Sequence, residues 1–341
     1  MILMAYSRLM LLTGAGFTKN VGGYLGSELW AKIYNFPSVQ DSDTLRRLLQ
    51  SDMDFEWIYH FVMINKKGIE QSDKDAIHEA LLNAYANMNE LVLNHVKGAV
   101  IGFSVYEVSN WLKELFCTDE SVKSLWFTLN QDLFFERWFR GWRIVCPGAT
   151  PFSLDSYPRG SDSPDGKAEH LGDSFGKDDF VTIKQDVKIE DILSDIESGP
   201  SAAYIKLHGS YGWKSSNGQE TMVIGQEKEK AIENESLLLC YKQVFTDAIK
   251  EGDKRLLVIG YGFADGYINA IITEGIERYG LRLYILRPSS PKHFKESVLG
   301  EDNSKIWGGV YGYFQYYLRD VLGKNVPGAK EEISLAMLSG L

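Results

Sequence analysis

Four short stretches carry residue types suited to chemistry. The first is Leu11-Leu12-Thr13-Gly14-Ala15-Gly16-Phe17-Thr18. An apolar run stops in a Gly-Ala-Gly turn, and a helical pattern follows. That arrangement suits a nucleotide phosphate: glycine lets the backbone approach it, and a helix start offers unpaired N–H groups with partial positive charge. The stretch lacks the third glycine of the dinucleotide fingerprint and the lysine of a P-loop, so a plain structural turn is equally open.

The second stretch is Thr128-Leu129-Asn130-Gln131-Asp132. Asn130 offers both a donor and an acceptor while staying neutral. Either Asn130 or Asp132 could instead cap the helix that follows. The third is Lys206-Leu207-His208-Gly209-Ser210. His208 titrates nearest neutral pH and could take a proton from a hydroxyl or a water. The bland reading is a turn histidine satisfied by backbone. The fourth is Gly260-Tyr261-Gly262-Phe263-Ala264-Asp265, which could be a ligand loop or only a tight strand-to-helix connection.

These stretches need a scaffold. Leu9–Leu12, Leu125–Leu129, Ala202–Leu207, Arg255–Ile259 and Leu281–Leu286 read as buried strands, with shorter ones at Arg143–Cys146 and Thr221–Ile224. Helical spacing marks Leu25, Leu29, Ile33 and Phe36, ending at Pro37, and then residues 55–64, 74–97 and 104–117. Further helices are expected at 132–139, 237–250, from about Asp265, and at 329–338. Residues 147–178, rich in Pro, Gly, Ser and Asp, read as a long surface loop. Apolar strands alternating with helices predict an α/β fold with a parallel sheet covered on both faces. In such a sheet the loops after the strands converge on one crevice, so the four stretches should meet.

Composition narrows the function. The chain has 341 residues, 44% hydrophobic, with a net charge of −10. A broad nucleic-acid surface needs a basic stripe, which this balance disfavours. The cysteines Cys117, Cys146 and Cys240 form no CxxC pair, so a four-cysteine zinc ribbon is excluded. A scattered set suits a reducing cytoplasm. No apolar run approaches a membrane span. His60, His78 and His95 lie in helical segments, His170 in the long loop and His293 just after Pro291; no metal site is expected among them.

Taken together, the four stretches, with Asp54-Phe55-Glu56, resemble the sirtuin-like family in its bacterial NAD-hydrolysing branch. The resemblance implies a Rossmann-like NAD-binding core at 1–23 and 119–325. It also implies an inserted helical subdomain at 24–118, leaving a C-terminal helical tail at 326–341. It implies that Gly14, Ala15, Gly16, Phe17 and Thr18 hold the pyrophosphate and that Gly260, Tyr261, Gly262 and Phe263 pack on the adenosine half. Asn130 and His208 would be catalytic: Asn130 orients ribose hydroxyls or the attacking water, and His208 takes a proton. Asp132 would bind the nicotinamide carboxamide or shape the pocket; Asp265 would cap its helix or touch a ribose hydroxyl.

Departures from the deacylases favour simple NAD cleavage. The zinc module cannot be built, and Gly22-Gly23-Tyr24-Leu25 stands where Pro-Asp-Phe-Arg would be. The expectation is an NAD hydrolase acting as a cytoplasmic antiphage effector with NAD as substrate and no metal. A homo-oligomer is expected, as is a trigger from a partner such as a HerA-type ring ATPase or a short Argonaute-type protein. The alternatives are a non-hydrolytic NAD or ADP-ribose sensor and an ADP-ribosyltransferase.

Overall fold

A computed structural model describes residues 6–65, 67–97, 105–117, 122–135, 144–148, 181–183, 186–199, 201–215, 220–323 and 325–339. The strands are β1 (Tyr6–Thr13), β2 (Lys123–Thr128), β3 (Ile144–Val145), β4 (Val181–Thr182), β5 (Ala202–Lys206), β6 (Trp213–Lys214), β7 (Arg255–Ile259), β8 (Arg282–Leu286) and β9 (Val310–Phe314). Seven of them form one sheet in the order β3-β5-β2-β1-β7-β8-β9. Every pairing in it is parallel. β4 and β6 form a separate two-stranded sheet. All five residues of β5 and of β7 are buried, as are Leu9–Thr13 of β1. A strand whose side chains are buried on both faces must be covered on both, which is why these segments read as continuous apolar runs. The result is the expected Rossmann-like α/β architecture.

The chain leaves β1 toward β2 on one side, and later crosses back to place β7 on the other side of β1. The crevice outside β1 and β7 is therefore a topological switch point, where open α/β sheets bind ligands. Register sharpens this. Lys206, Thr128, Thr13, Ile259 and Leu286 pair in succession across β5, β2, β1, β7 and β8 as one transverse row. The residues just beyond that row are those that sequence singled out.

Between β1 and β2 run the helices Gly26–Tyr34, Pro37–Gln40, Asp43–Ser51, Phe55–Ile64, Gln71–Lys97 and Val105–Phe116. Pro37 ends the first run as expected and opens the next short helix, at a position where its missing N–H costs nothing. The helix Val105–Phe116 packs with the core: the Trp111 indole donates to Ser334 Oγ (3.1 Å), and Phe116 sits edge-on to Trp126 of β2. The C-terminal helix Ala329–Leu338 also docks there, since Arg255 donates to the Met337 carbonyl (2.5 Å) and Ile333 and Met337 are buried.

Two readings change. Thr221–Ile224 is not a strand; Thr221 N–H donates to the carbonyl of Trp213 in β6 (3.1 Å) and Val223 N–H to that of His208 (3.0 Å), and Glu220 alone makes a bridge, with Lys214. The edge strand β9, Val310–Phe314, is one that sequence reading did not foresee. Of the helix expected at 132–139, residues 136–139 lie outside the described residues, as do 149–178 of the long loop, His170 and the side chain of His95.

Candidate functional site

A cavity of about 450 Å³ opens at the carboxyl ends of the strands. Its floor is the two glycine turns, and its roof comes from the helical block through Tyr24, Leu29, Phe55 and Tyr85. Asn130, Asp132, His208 and Asp265 all line it. The four stretches do meet.

The glycines act differently from expectation. A Cβ on Gly14 would stand 2.7 Å from Tyr261 Cα, and one on Gly16 would stand 2.7 Å from Gly260 Cα. Gly260, at φ +70°, would place a Cβ 2.2 Å from the Phe17 nitrogen. These residues are glycine so that the two turns can lie against each other. Gly14 N–H donates to Ile259 (3.0 Å), Gly16 N–H to Gly260 (2.9 Å) and Phe17 N–H to Gly14 (2.8 Å), so these amides are spent within the protein. What the turns leave for a ligand is the exposed Ala15, whose N–H donates to no group among the described residues, and Gly262, whose missing Cβ faces open space. Both line the cavity.

Phe17 and Phe263 do not line it. Phe17 is buried against Phe134 and Phe135, and Phe263 against Tyr261 and Phe294. Phe263 has φ +56°, a costly conformation for a bulky residue. The strain is held by Asn269, which donates to the Phe263 carbonyl (2.7 Å) and accepts from the Tyr261 hydroxyl (2.9 Å). Both aromatics support the turns from beneath.

Asn130 and Asp132 take separate parts. Asp132 caps: its Oδ1 accepts from Phe134 N–H (2.9 Å) and its Oδ2 from the Thr18 hydroxyl (2.8 Å). Asn130 Nδ2 donates to the Gly14 carbonyl (3.0 Å) and to Thr18 Oγ1 (2.9 Å). The Gly14 carbonyl can only accept, which fixes the amide's orientation. Nδ2 is therefore spent on the glycine turn, and the group Asn130 keeps for a ligand is its acceptor Oδ1. Buried Lys206 props the same loop by donating to the Asp132 carbonyl (2.5 Å).

His208 is 3% exposed, and its buried Nε2 has no hydrogen-bond partner. Gly209, at φ +69°, is required beside it, because a Cβ there would meet the Thr221 carbonyl at 1.9 Å. Burial pulls the imidazole pKa from 6.5 down to about 4. The expectation that it titrates near neutrality is thus corrected: at pH 7 it is neutral and able to accept a proton.

Sequence reading missed most of the charges around it. Asp265 precedes the helix Gly266–Tyr279 but makes no side-chain cap. Its Oδ1 lies 3.8 Å from His208 Nε2 and accepts from Lys228 Nζ (2.8 Å). Lys228, opening the short helix Lys228–Glu233, also pairs with Glu56 Oε2 (2.7 Å). Glu56 comes from the helical block, where Asp54 Oδ1 caps the helix Phe55–Ile64 by accepting from the Glu56 and Trp57 amides. That cap turns Phe55 and Glu56 into the cavity wall. Burial raises the Glu56 pKa, with Lys228 opposing it. Burial also works against the Asp265 carboxylate, yet His208 and Lys228 hold its pKa below the ordinary value. Burial works against the Lys228 ammonium, but Glu56 and Asp265 outweigh it and raise its pKa.

Among the described residues no cluster of three or more His, Cys, Asp or Glu could hold a metal, and no helix is long and apolar enough to cross a membrane. A dinucleotide fits the donor set: an unspent amide at Ala15, a bare backbone at Gly262, an acceptor at Asn130 and a neutral imidazole.

The sequence profile of the SIR2-like domain matches residues 124–306, more than half the chain. No curated protein matches the sequence. The matched span contains Asn130, His208, Lys228 and the Gly260–Asp265 loop. Gly14–Thr18 precede it and are tied to it by the bonds to Ile259, Gly260 and Asn130.

Proposed function

The chain belongs to the SIR2-like family, and we propose that its cavity hydrolyses NAD+ at the nicotinamide–ribose bond, releasing nicotinamide and ADP-ribose. The observation that carries this is the convergence of Asn130 and a neutral, buried His208 on one cavity floored by paired glycine turns. Bond cleavage gives the nicotinamide nitrogen the bonding pair and leaves positive charge on the ribose. Asn130 Oδ1 holds a ribose hydroxyl or the attacking water. His208 accepts the proton lost as that oxygen bonds the sugar, and the Asp265 carboxylate 3.8 Å away stabilises the imidazolium so formed. A positioned base of this kind contributes ~10²–10⁴-fold in rate.

Such an activity would deplete cellular NAD, the role of an antiphage effector. In this reading the protein works in the cytoplasm as an oligomer and is held idle until a partner, a HerA-type ATPase or a short Argonaute-type protein, releases it. The family resemblance and the −10 net charge, which disfavours direct sensing of nucleic acid, support this assignment. Nicotinamide release, measured alone and with each candidate partner, tests it. Label from radiolabelled NAD in free ADP-ribose supports hydrolysis; label on a macromolecule would make the protein a transferase instead.

A further inference from the structure

The cavity has a second polar end that hydrolysis does not use. Arg287 follows β8 directly and forms the wall with Pro288 and Ser289. Its guanidinium lies 4.8 Å over the Phe294 ring. Nε and Nη1 of Arg287 are sealed from solvent and have no hydrogen-bond partner, and neither has Ser289 Oγ. The loop is otherwise well fixed. Arg287 N–H donates to the Phe314 carbonyl (3.1 Å), the Tyr313 hydroxyl to the Ser289 carbonyl (2.8 Å), and Ser290 Oγ accepts from His293 N–H (3.2 Å). Two guanidinium nitrogens and a hydroxyl left unpaired carry a standing penalty, and an acceptor in the cavity that drew these side chains toward it would remove it. The planar guanidinium of Arg pairs its N–H donors with the oxygens of an anion such as a phosphate.

Position says which anion. Along the transverse row, Asn130 lies beyond β2, the glycine turns beyond β1 and β7, and Arg287 beyond β8. Adjacent strands are ~4.8 Å apart, so Asn130 and Arg287 follow strands about 14 Å apart, with the turns between them. A dinucleotide with its nicotinamide end at Asn130 and its pyrophosphate over the turns directs its adenosine half to β8. Sheets of this class hold an unmodified adenosine ribose with an acidic side chain and accommodate a 2′-phosphate with arginine. The end of β8 reads Arg287-Pro288-Ser289-Ser290, without a carboxylate.

We propose that Arg287 and Ser289 form a subsite for the 2′-phosphate of a phosphorylated dinucleotide, so that NADP+ is a substrate alongside NAD+. This rests on the reading of the cavity as a site for an ADP-ribosyl dinucleotide. Calorimetric titration of the full chain with ADP-ribose and with 2′-phospho-ADP-ribose tests it without requiring turnover. The wild type should bind the phosphorylated compound more tightly. Arg287→Leu should weaken that compound about tenfold or more while leaving ADP-ribose within about threefold, the scale of a lost charge-assisted pair. Ser289→Ala, which removes one hydroxyl and serves if Arg287→Leu does not fold, should move the same preference in the same direction by less. ADP-ribose binding that the 2′-phosphate weakens, or an Arg287→Leu variant that loses both compounds equally, overturns the subsite and leaves the parent reading standing. Binding of neither compound overturns both.

Discussion

His208 Nε2 and Asp265 Oδ1 stand 3.8 Å apart, a carboxylate beside an imidazole that has no hydrogen-bond partner at that nitrogen. The spacing is too long for a hydrogen bond and short enough for strong electrostatic coupling in a buried site. Asp265 is held there by Lys228, and Lys228 by Glu56 of the helical block. The proposed base is thus tied through three charged side chains to the roof of its own cavity.

Removing Lys228 should expose that dependence. Lys228→Met leaves Glu56 and Asp265 without their shared cation and should cost about 2 kcal/mol of stability. It should also lower kcat for NAD cleavage, with Lys228→Arg restoring part of both. Thermal melts and steady-state kinetics of the two variants check this; a Lys228→Met enzyme with wild-type kcat would remove the network from the mechanism.

Acid should destabilise the protein through His208. Its folded pKa of about 4 lies below the ordinary 6.5, so between those values the unfolded chain takes up a proton that the folded chain refuses. Stability therefore rises with pH across that window, by about 3 kcal/mol from this group, and is lost as pH falls through it. Urea unfolding from pH 4 to 7 should show a shallower slope for His208→Gln than for the wild type.

The glycines should separate into two kinds. Gly16→Ala drives a Cβ to within 2.7 Å of the Gly260 backbone and should lower the melting temperature sharply or prevent folding. Gly262→Ala meets nothing within 4 Å, so its stability should stay within about 0.5 kcal/mol of the wild type. Its methyl group enters the cavity, and the KM for NAD should rise. Melts alongside kinetics on both variants decide the matter.

Asn130→Ala should lose stability as well as activity. The side chain bonds the Gly14 carbonyl and Thr18 Oγ1, and a buried acceptor left unpaired costs ~1–3 kcal/mol. Differential scanning calorimetry of the variant should show that loss; an unchanged melting temperature would mean the amide does not brace the turn.

Much of this arrangement was legible in the sequence. Parallel strands announce themselves as apolar runs, and the loops after β1, β2, β5 and β7 stand out because Gly14, Asn130, His208 and Gly260 interrupt those runs. What each residue does there was less legible. The glycines invite a ligand reading because a sequence cannot show that two turns fill each other's missing Cβ space. Lys228 sits in Glu227-Lys228-Glu229-Lys230, which reads as a solvated charged face. Only the fold reveals that Lys228 turns inward while Lys230 pairs with Glu227 at the surface. The histidine's depressed pKa depends on burial by segments distant in the chain, which residue type alone cannot convey. Thr221–Ile224 has strand-like residues, yet its amides are claimed by the His208 and Trp213 carbonyls.

The most direct measurement is chromatographic analysis of NAD+ incubated with the purified protein at high concentration, alone and with each candidate partner, in parallel with His208→Gln. The account predicts nicotinamide and free ADP-ribose in equal amounts from the wild type, and a release rate at least ~100-fold lower from the variant. NAD+ recovered intact from the wild type both alone and with each candidate partner, or nicotinamide released equally by both proteins, would contradict it.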